Sequence, residues 1–199
     1  MLSFINFDEP AFIYHPEIFD AWMHILLATP NSSLVLFGKS PAVINNLRST
    51  AALAQVNPNR LIFLQSVDYE SYLARLTCID LFLDTPIYNA GTTASDALWM
   101  GVPVITCIGQ SFSARMAASV LVATGLEQLI TQSLDEYILL AVELASNKVK
   151  YQEIKNQLII NSDTCKLFDS FETTKSLEKG YLQIWKNYLG GFLTKDIVI

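Results

Sequence analysis

The residues best placed to do chemistry are the run Asn89-Ala90-Gly91-Thr92-Thr93-Ala94-Ser95-Asp96. A glycine at 91 lets backbone come close to a ligand. Thr92 and Thr93 set hydroxyls beside the free N–H groups of a helix that begins at Thr92, an arrangement that holds phosphate without a metal. Asp96 follows Thr92 by one helical turn and shares its face, where it can accept from ribose hydroxyls. Taken alone, the same residues also serve as an ordinary helix cap and a first-turn acid that complements the helix dipole.

Other chemistries find little support. There is no G-x-x-x-x-G-K-[ST] run and no G-x-G-x-x-G after the first apolar run, which argues against a P-loop and a dinucleotide dehydrogenase. Asp80 and Asp84 are four apart in a strand-like run, hence about 13 Å apart at ~3.3 Å per residue, too far to share one metal. They read as the start and the end of a strand. The only histidines, His15 and His24, fall in a loop and on an amphipathic helix, and surface positions fit both. The cysteines, Cys78, Cys107 and Cys165, are odd in number and widely spaced, which speaks for reduced thiols and a reducing cytoplasm.

The elements that position the threonines are legible from periodicity. Ser3–Phe7, Ser33–Phe37, Arg60–Leu64, Asp80–Asp84 and Pro103–Cys107 are short, nearly continuous apolar runs, the pattern of strands buried on both faces. Between them, Pro16–Ala28, Pro41–Ala54, Tyr69–Leu76, Thr92–Met100 and Ser113–Thr124 carry helical spacing, with Phe19, Trp22, Met23 and Leu26 forming one core stripe. Alternation of this kind makes a parallel α/β sheet with right-handed crossovers. Ser133–Ser146, Lys148–Ile160 and Thr173–Tyr188 read as helices with no strand between them, and Ser133 with Glu136 matches a capping box. The expectation is a single lobe, a Rossmann-like doubly wound core over 1–131 and a helical C-terminal tail over 132–199.

The chain has 199 residues, 51% hydrophobic and 16% charged, which excludes disorder and supplies a substantial core. A net charge of −6 leaves no basic face for nucleic acid. No apolar run reaches membrane-spanning length, and the start of the sequence lacks the basic region of a signal peptide. The mean hydropathy of +0.32 is high for such a chain and suggests surface held against a partner or a further domain.

From Asp80 onward the residues resemble a known family. Asp80-Leu81-Phe82-Leu83-Asp84-Thr85-Pro86, Asn89 through Trp99, Gly101-Val102-Pro103-Val104-Ile105-Thr106, Gly109 through Ser119, Leu167-Phe168-Asp169 and Tyr181-Leu182-Gln183-Ile184-Trp185 are similar to the O-linked N-acetylglucosamine transferases, with their Spindly-type and bacterial tetratricopeptide-linked relatives. The resemblance implies the C-terminal, donor-binding lobe of a two-lobed GT-B enzyme. The N-terminal lobe and the helical repeats that present the protein acceptor have no counterpart in the sequence. It implies metal-independent, inverting transfer from UDP-GlcNAc or a related nucleotide sugar to a serine or threonine hydroxyl, with no cofactor. A degenerate lobe that binds UDP without turnover, or acts only in interaction, is the alternative, and a UDP-sugar epimerase of the same architecture is a third.

The resemblance also assigns roles by position. Thr92 and Thr93 match phosphate-binding threonines and Asp96 matches the acid on the ribose. Arg75 and Tyr72 fall where the family lines the uridine pocket, Val67 where backbone reads uracil, and Tyr69 where a relative has a ribose-contacting lysine. Two further positions depart from the pattern. Gly91 stands where the family commonly has histidine. Ile13 falls at about the place of a lysine that contacts the donor phosphates, in a loop made acidic by Asp8 and Glu9. Loss of that contact costs roughly 1.5–3 kcal/mol. Lys39, after the second strand run, is a candidate substitute. No catalytic residue is assigned.

Overall fold

The computed structural model describes residues 2–6, 14–38, 40–162, 164–165, 167–192 and 197. Six strands form one parallel sheet: β1 (Leu2–Asn6), β2 (Ser32–Phe37), β3 (Leu61–Leu64), β4 (Leu81–Leu83), β5 (Val104–Cys107) and β6 (Ile130–Thr131), in the order β3-β2-β1-β4-β5-β6. The helices are α1 (Pro16–Ala28), α2 (Pro41–Leu53), α3 (Tyr69–Leu76), α4 (Thr92–Trp99), α5 (Met116–Ala123), α6 (Leu134–Ser146), α7 (Lys148–Ser162) and α8 (Ser170–Leu189). This is the doubly wound α/β fold expected from the alternation. In β2 and β5 neighbouring residues are buried alike, so both faces of the sheet are covered and the apolar runs are continuous for that reason.

Strand order decides where a ligand can sit. The chain winds outward from β1 through β2 to β3, then returns to lay β4 on the other side of β1 and winds on through β5 to β6. The switch point therefore falls between β1 and β4, and in such sheets ligands sit beyond the carboxyl ends of the strands there. The β4 loop leads into α4. The β1 loop, with Asp8, Glu9 and Ile13, lies outside the described residues, as does Lys39.

The core follows the amphipathic stripes. Phe19, Trp22, Met23 and Leu26 of α1 are all buried. Helix α6 packs on α1 and on β5, and its Tyr137 is 0% exposed. The Tyr137 hydroxyl donates to the Asp84 carbonyl at 3.0 Å and receives the Trp22 indole N–H at 3.2 Å. At the other end of β4, Tyr151 of α7 donates to the Asp80 carbonyl at 2.9 Å, and the Asp80 carboxylate accepts the Ser3 N–H at 2.7 Å.

Three details differ from expectation. The two-residue strand β6 is too short to register as an apolar run. The segment 113–124 is a 3-10 turn at Ser113–Arg115 followed by α5, because Arg115 leaves helical geometry with φ −126°. At α6 the Ser133 hydroxyl accepts the Glu136 N–H at 3.2 Å as the capping box requires, but the Glu136 carboxylate reaches back one residue further, to the Gln132 N–H at 2.8 Å. Helix α8 is the reverse of the core helices, since only Gly180 of it is buried.

Burial and the nearby Asp80 charge push the Tyr151 phenol up from 10.0 to about 12. A raised folded value means that the stabilisation is complete below the unfolded value and is lost as pH climbs through the folded one. Tyr151 is only half-buried, so solvent screening reduces the effect, and between pH 10 and 12 the protein should lose about 1 kcal/mol more stability than Tyr151→Phe. Urea unfolding of both proteins across that range reads the difference in slope; parallel curves would contradict it.

Candidate functional site

A buried carboxylate builds the turn between β4 and α4. Asp84 is 0% exposed. Its Oδ1 accepts the Ala90 N–H at 2.7 Å and its Oδ2 accepts the Thr106 hydroxyl of β5 at 2.5 Å. A buried charge is tolerable only when it is hydrogen-bonded in this way. The span between Asp84 and Ala90 is closed from inside: the Thr85 hydroxyl donates to the Tyr88 carbonyl at 2.6 Å and the Asn89 amide donates to the Thr85 carbonyl at 2.7 Å. The Asn89 N–H donates to the Ser113 carbonyl at 2.9 Å and ties the turn to the following loop.

The turn delivers the start of α4 at the switch point. Ser95 N–H to Gly91 carbonyl, 3.0 Å, is the first bond of the helix, so the N–H groups ahead of it point out of the helix end. Gly91 has φ −104° and ψ −84°, so no left-handed backbone demands glycine there. Its service is room. A Cβ there would lie 3.3 Å from Met116 Cε. A cavity of about 380 Å³ opens at this helix end, lined by Tyr88, Asn89, Ala90, Gly91, Thr92, Thr93, Phe112, Ser113 and Met116.

The remaining expected residues gather beside that cavity rather than in it. The Tyr69 hydroxyl donates to Asp96 Oδ1 at 2.9 Å, bridging the start of α3 to α4. That bond, with the Asp96 charge, holds the Tyr69 phenol above its ordinary value. The Tyr72 ring stands 6.0 Å from the Tyr69 ring, half-buried, and Val67 is exposed just before α3. Arg75 is turned to the Gln65 carbonyl at 2.8 Å. Asp68 caps α3, and the Ser71 N–H it accepts lowers its carboxyl below the usual range. Gly91, Thr92 and Thr93 thus form one group at the helix end, and Tyr69, Tyr72 and Asp96 a second on its flank.

His15 and His24 are both exposed, as the sequence suggested. Asp80 and Asp84 bracket β4 and hold separate backbone groups. Among the described residues no group of three or more His, Cys, Asp or Glu side chains is placed to hold a metal, and no helix is long and apolar enough to cross a membrane. Sequence reasoning missed Asp84 as an organiser of the turn, and missed Tyr88, Phe112 and Met116 as cavity wall. The available signal for Asp84 was an acid closing an apolar run directly before Thr-Pro.

The family model described as Glycosyl transferase family 41 matches residues 2–177. The chain is 38% identical over 177 residues to the probable UDP-N-acetylglucosamine–peptide N-acetylglucosaminyltransferase SEC of Arabidopsis thaliana, covering 88% of this chain and 18% of that protein. It is 31% identical over 198 residues to the probable enzyme SPINDLY of Oryza sativa subsp. japonica, covering 96% and 21%. A solved mutant O-GlcNAc transferase of Thermobaculum terrenum superposes with a TM-score of 0.87 at 30% identity, over 94% of this chain and 36% of that one. The chain therefore spans about a fifth of these curated relatives.

Replacing the buried carboxylate tests the turn. Asp84→Asn sets an amide N–H₂ against one of two donors and should cost about 1.5–3 kcal/mol, read as a lowered urea midpoint. The part-buried Asp80→Asn should cost clearly less. Equal or negligible losses would show that Asp84 does not anchor the turn.

Proposed function

The chain belongs to glycosyl transferase family 41, and from that premise we propose that it is the donor-binding lobe of a protein O-glycosyltransferase that uses UDP-GlcNAc or a related nucleotide sugar. The observation that carries this reading is the open end of α4, at the switch point of the sheet, with Thr92 and Thr93 on a cavity and Asp96 one turn along the flank. The first-turn N–H groups and the two threonine hydroxyls take the diphosphate. Asp96, oriented by Tyr69, takes ribose hydroxyls on its free Oδ2 edge. Tyr72, Val67 and Arg75 lie on the side where the uridine ring would rest, Tyr72 with its ring face and Val67 with backbone.

In this proposal the transfer is direct and inverting. A serine or threonine hydroxyl of a protein acceptor attacks the anomeric carbon, the bond from that carbon to the diphosphate oxygen breaks, and UDP leaves. The helix end stabilises the charge that develops on the leaving group, the part a metal plays elsewhere. The hydroxyl proton needs a base, and the residues lining the cavity include neither histidine nor carboxylate. The base therefore comes from outside this cavity, and a preceding lobe together with acceptor-presenting repeats completes the enzyme. A second reading, UDP binding without turnover, is favoured by one feature of the sequence: Ile13 with Asp8 and Glu9 where the resemblance gives a phosphate-contacting lysine.

Titration calorimetry with UDP tests the shared premise. The wild-type chain should bind, and Thr92→Ala with Thr93→Ala should weaken binding at least ~10-fold, the loss of charge-assisted bonds of roughly 1.5–3 kcal/mol. Absence of heat at millimolar nucleotide, or affinity indifferent to both threonines, would overturn the donor-lobe reading.

A further inference from the structure

Helix α8 offers solvent a face of large apolar side chains. At ~100° per residue, Leu177, Tyr181, Ile184, Trp185 and Tyr188 share one side of the helix. Each of the five is more than half exposed. Trp185 and Tyr188 stack on one another, with ring centroids 5.6 Å apart and planes 22° apart. Lys179 and Lys186 fall on the opposite side. A contiguous apolar face of this kind marks a surface that another molecule covers.

A cavity of about 630 Å³ lies at the other end of the same helix. The end of α4, the end of α7 and the start of α8 line it, with Trp99, Cys165, Phe168 and Phe171 among its walls. Trp99 meets Phe168 edge-on at 4.9 Å and is still 59% exposed. Aromatic walls open on one side suit an aromatic knob. A chain cannot supply that knob to itself. Trp185 and Tyr188 lie 15 and 18 residues beyond Ser170 of the cavity wall, about 22 and 27 Å along the helix at ~1.5 Å per residue. A second copy can. With two α8 helices antiparallel and Leu177 set opposite Tyr181, Tyr188 of each copy comes to Ser170 of the other, and Ser170 belongs to the same face as Tyr188. One two-fold contact then fills both cavities, and knob and cavity have matching spacing because they sit on the same helix. At ~150–250 Å² per aromatic side chain, the face together with Phe171 and Trp99 exposes roughly 800 Å², one side of a stable interface.

We propose that the outer face of α8 is a self-association surface, on which a second copy of this chain pairs antiparallel and each copy seats its Trp185–Tyr188 pair in the other's cavity beside Phe171. The contact uses none of the residues assigned to the nucleotide. Sedimentation velocity of the 199-residue chain should show a two-chain particle at micromolar concentration. Trp185→Glu on the knob and Phe171→Glu at the cavity should each raise the dissociation constant at least ~10-fold, with far-UV circular dichroism unchanged. Leu53→Glu, at a residue equally open to solvent on α2, should leave the dimer intact. A wild-type chain that stays monomeric at ~100 μM, or an open series of larger species, overturns the proposal. So does a dimer indifferent to both α8 charges, or one lost equally with Leu53→Glu.

Discussion

One buried carboxylate sets the geometry on which the site depends. Asp84 leaves β4 at the switch point and is satisfied from two directions, by Ala90 across the turn and by Thr106 across the sheet. Its own carbonyl receives the Tyr137 hydroxyl, which in turn receives Trp22 of α1. A carboxylate in this position is costly unless both oxygens are met, so the turn has one low-energy shape. That shape fixes where α4 begins and which way its first N–H groups face.

The chain is acidic, yet the proposed site takes an anion. The reconciliation lies in range. A net charge of −6 acts over the whole surface and is screened within about 8–10 Å at physiological ionic strength, whereas the end of α4 acts at contact distance. Fixed backbone dipoles need no reorganisation when a diphosphate arrives, and they are aimed by the Asp84 turn rather than by flexible side chains. The helix flank then divides the surroundings. Tyr69 and Asp96 meet outside the cavity at the helix end, and Tyr88, Asn89 and Phe112 line it.

Most of the framework was legible in the sequence because its cause is local. Strands buried on both faces read as unbroken apolar runs, and α1 and α3 begin and end where their periodicity does. The misses have physical reasons. Strand β6 is held in place by the Thr131 hydroxyl on the Thr106 carbonyl and by β5, not by a pattern of its own. Asp84 looked like the polar end of a strand because its partners, six and 22 residues away, are brought to it only by folding. Thr92, Thr93 and Asp96 were recognisable as a helix start, but the Tyr69 bond that orients Asp96 joins elements 27 residues apart. Phe112 reads as one more apolar residue until the fold exposes it.

The departures from the family pattern gain meaning together. By the resemblance drawn from the sequence, Tyr69 stands where a relative has lysine, Gly91 where the family commonly has histidine and Ile13 at about the place of another lysine. All three changes remove a cation or a proton donor, and none touches Asp84, Thr92, Thr93 or Asp96. The Tyr69 hydroxyl holds Asp96 without bringing a cation's charge. At Gly91 the missing side chain leaves the helix end open, with Met116 the nearest neighbour a side chain would meet. On the proposed donor-lobe reading, a diphosphate is held by the helix end, worth roughly 0.3–2 kcal/mol from its dipole, together with the first-turn N–H groups and the Thr92 and Thr93 hydroxyls. On that reading, the grip on a nucleotide rests on the accuracy of one turn.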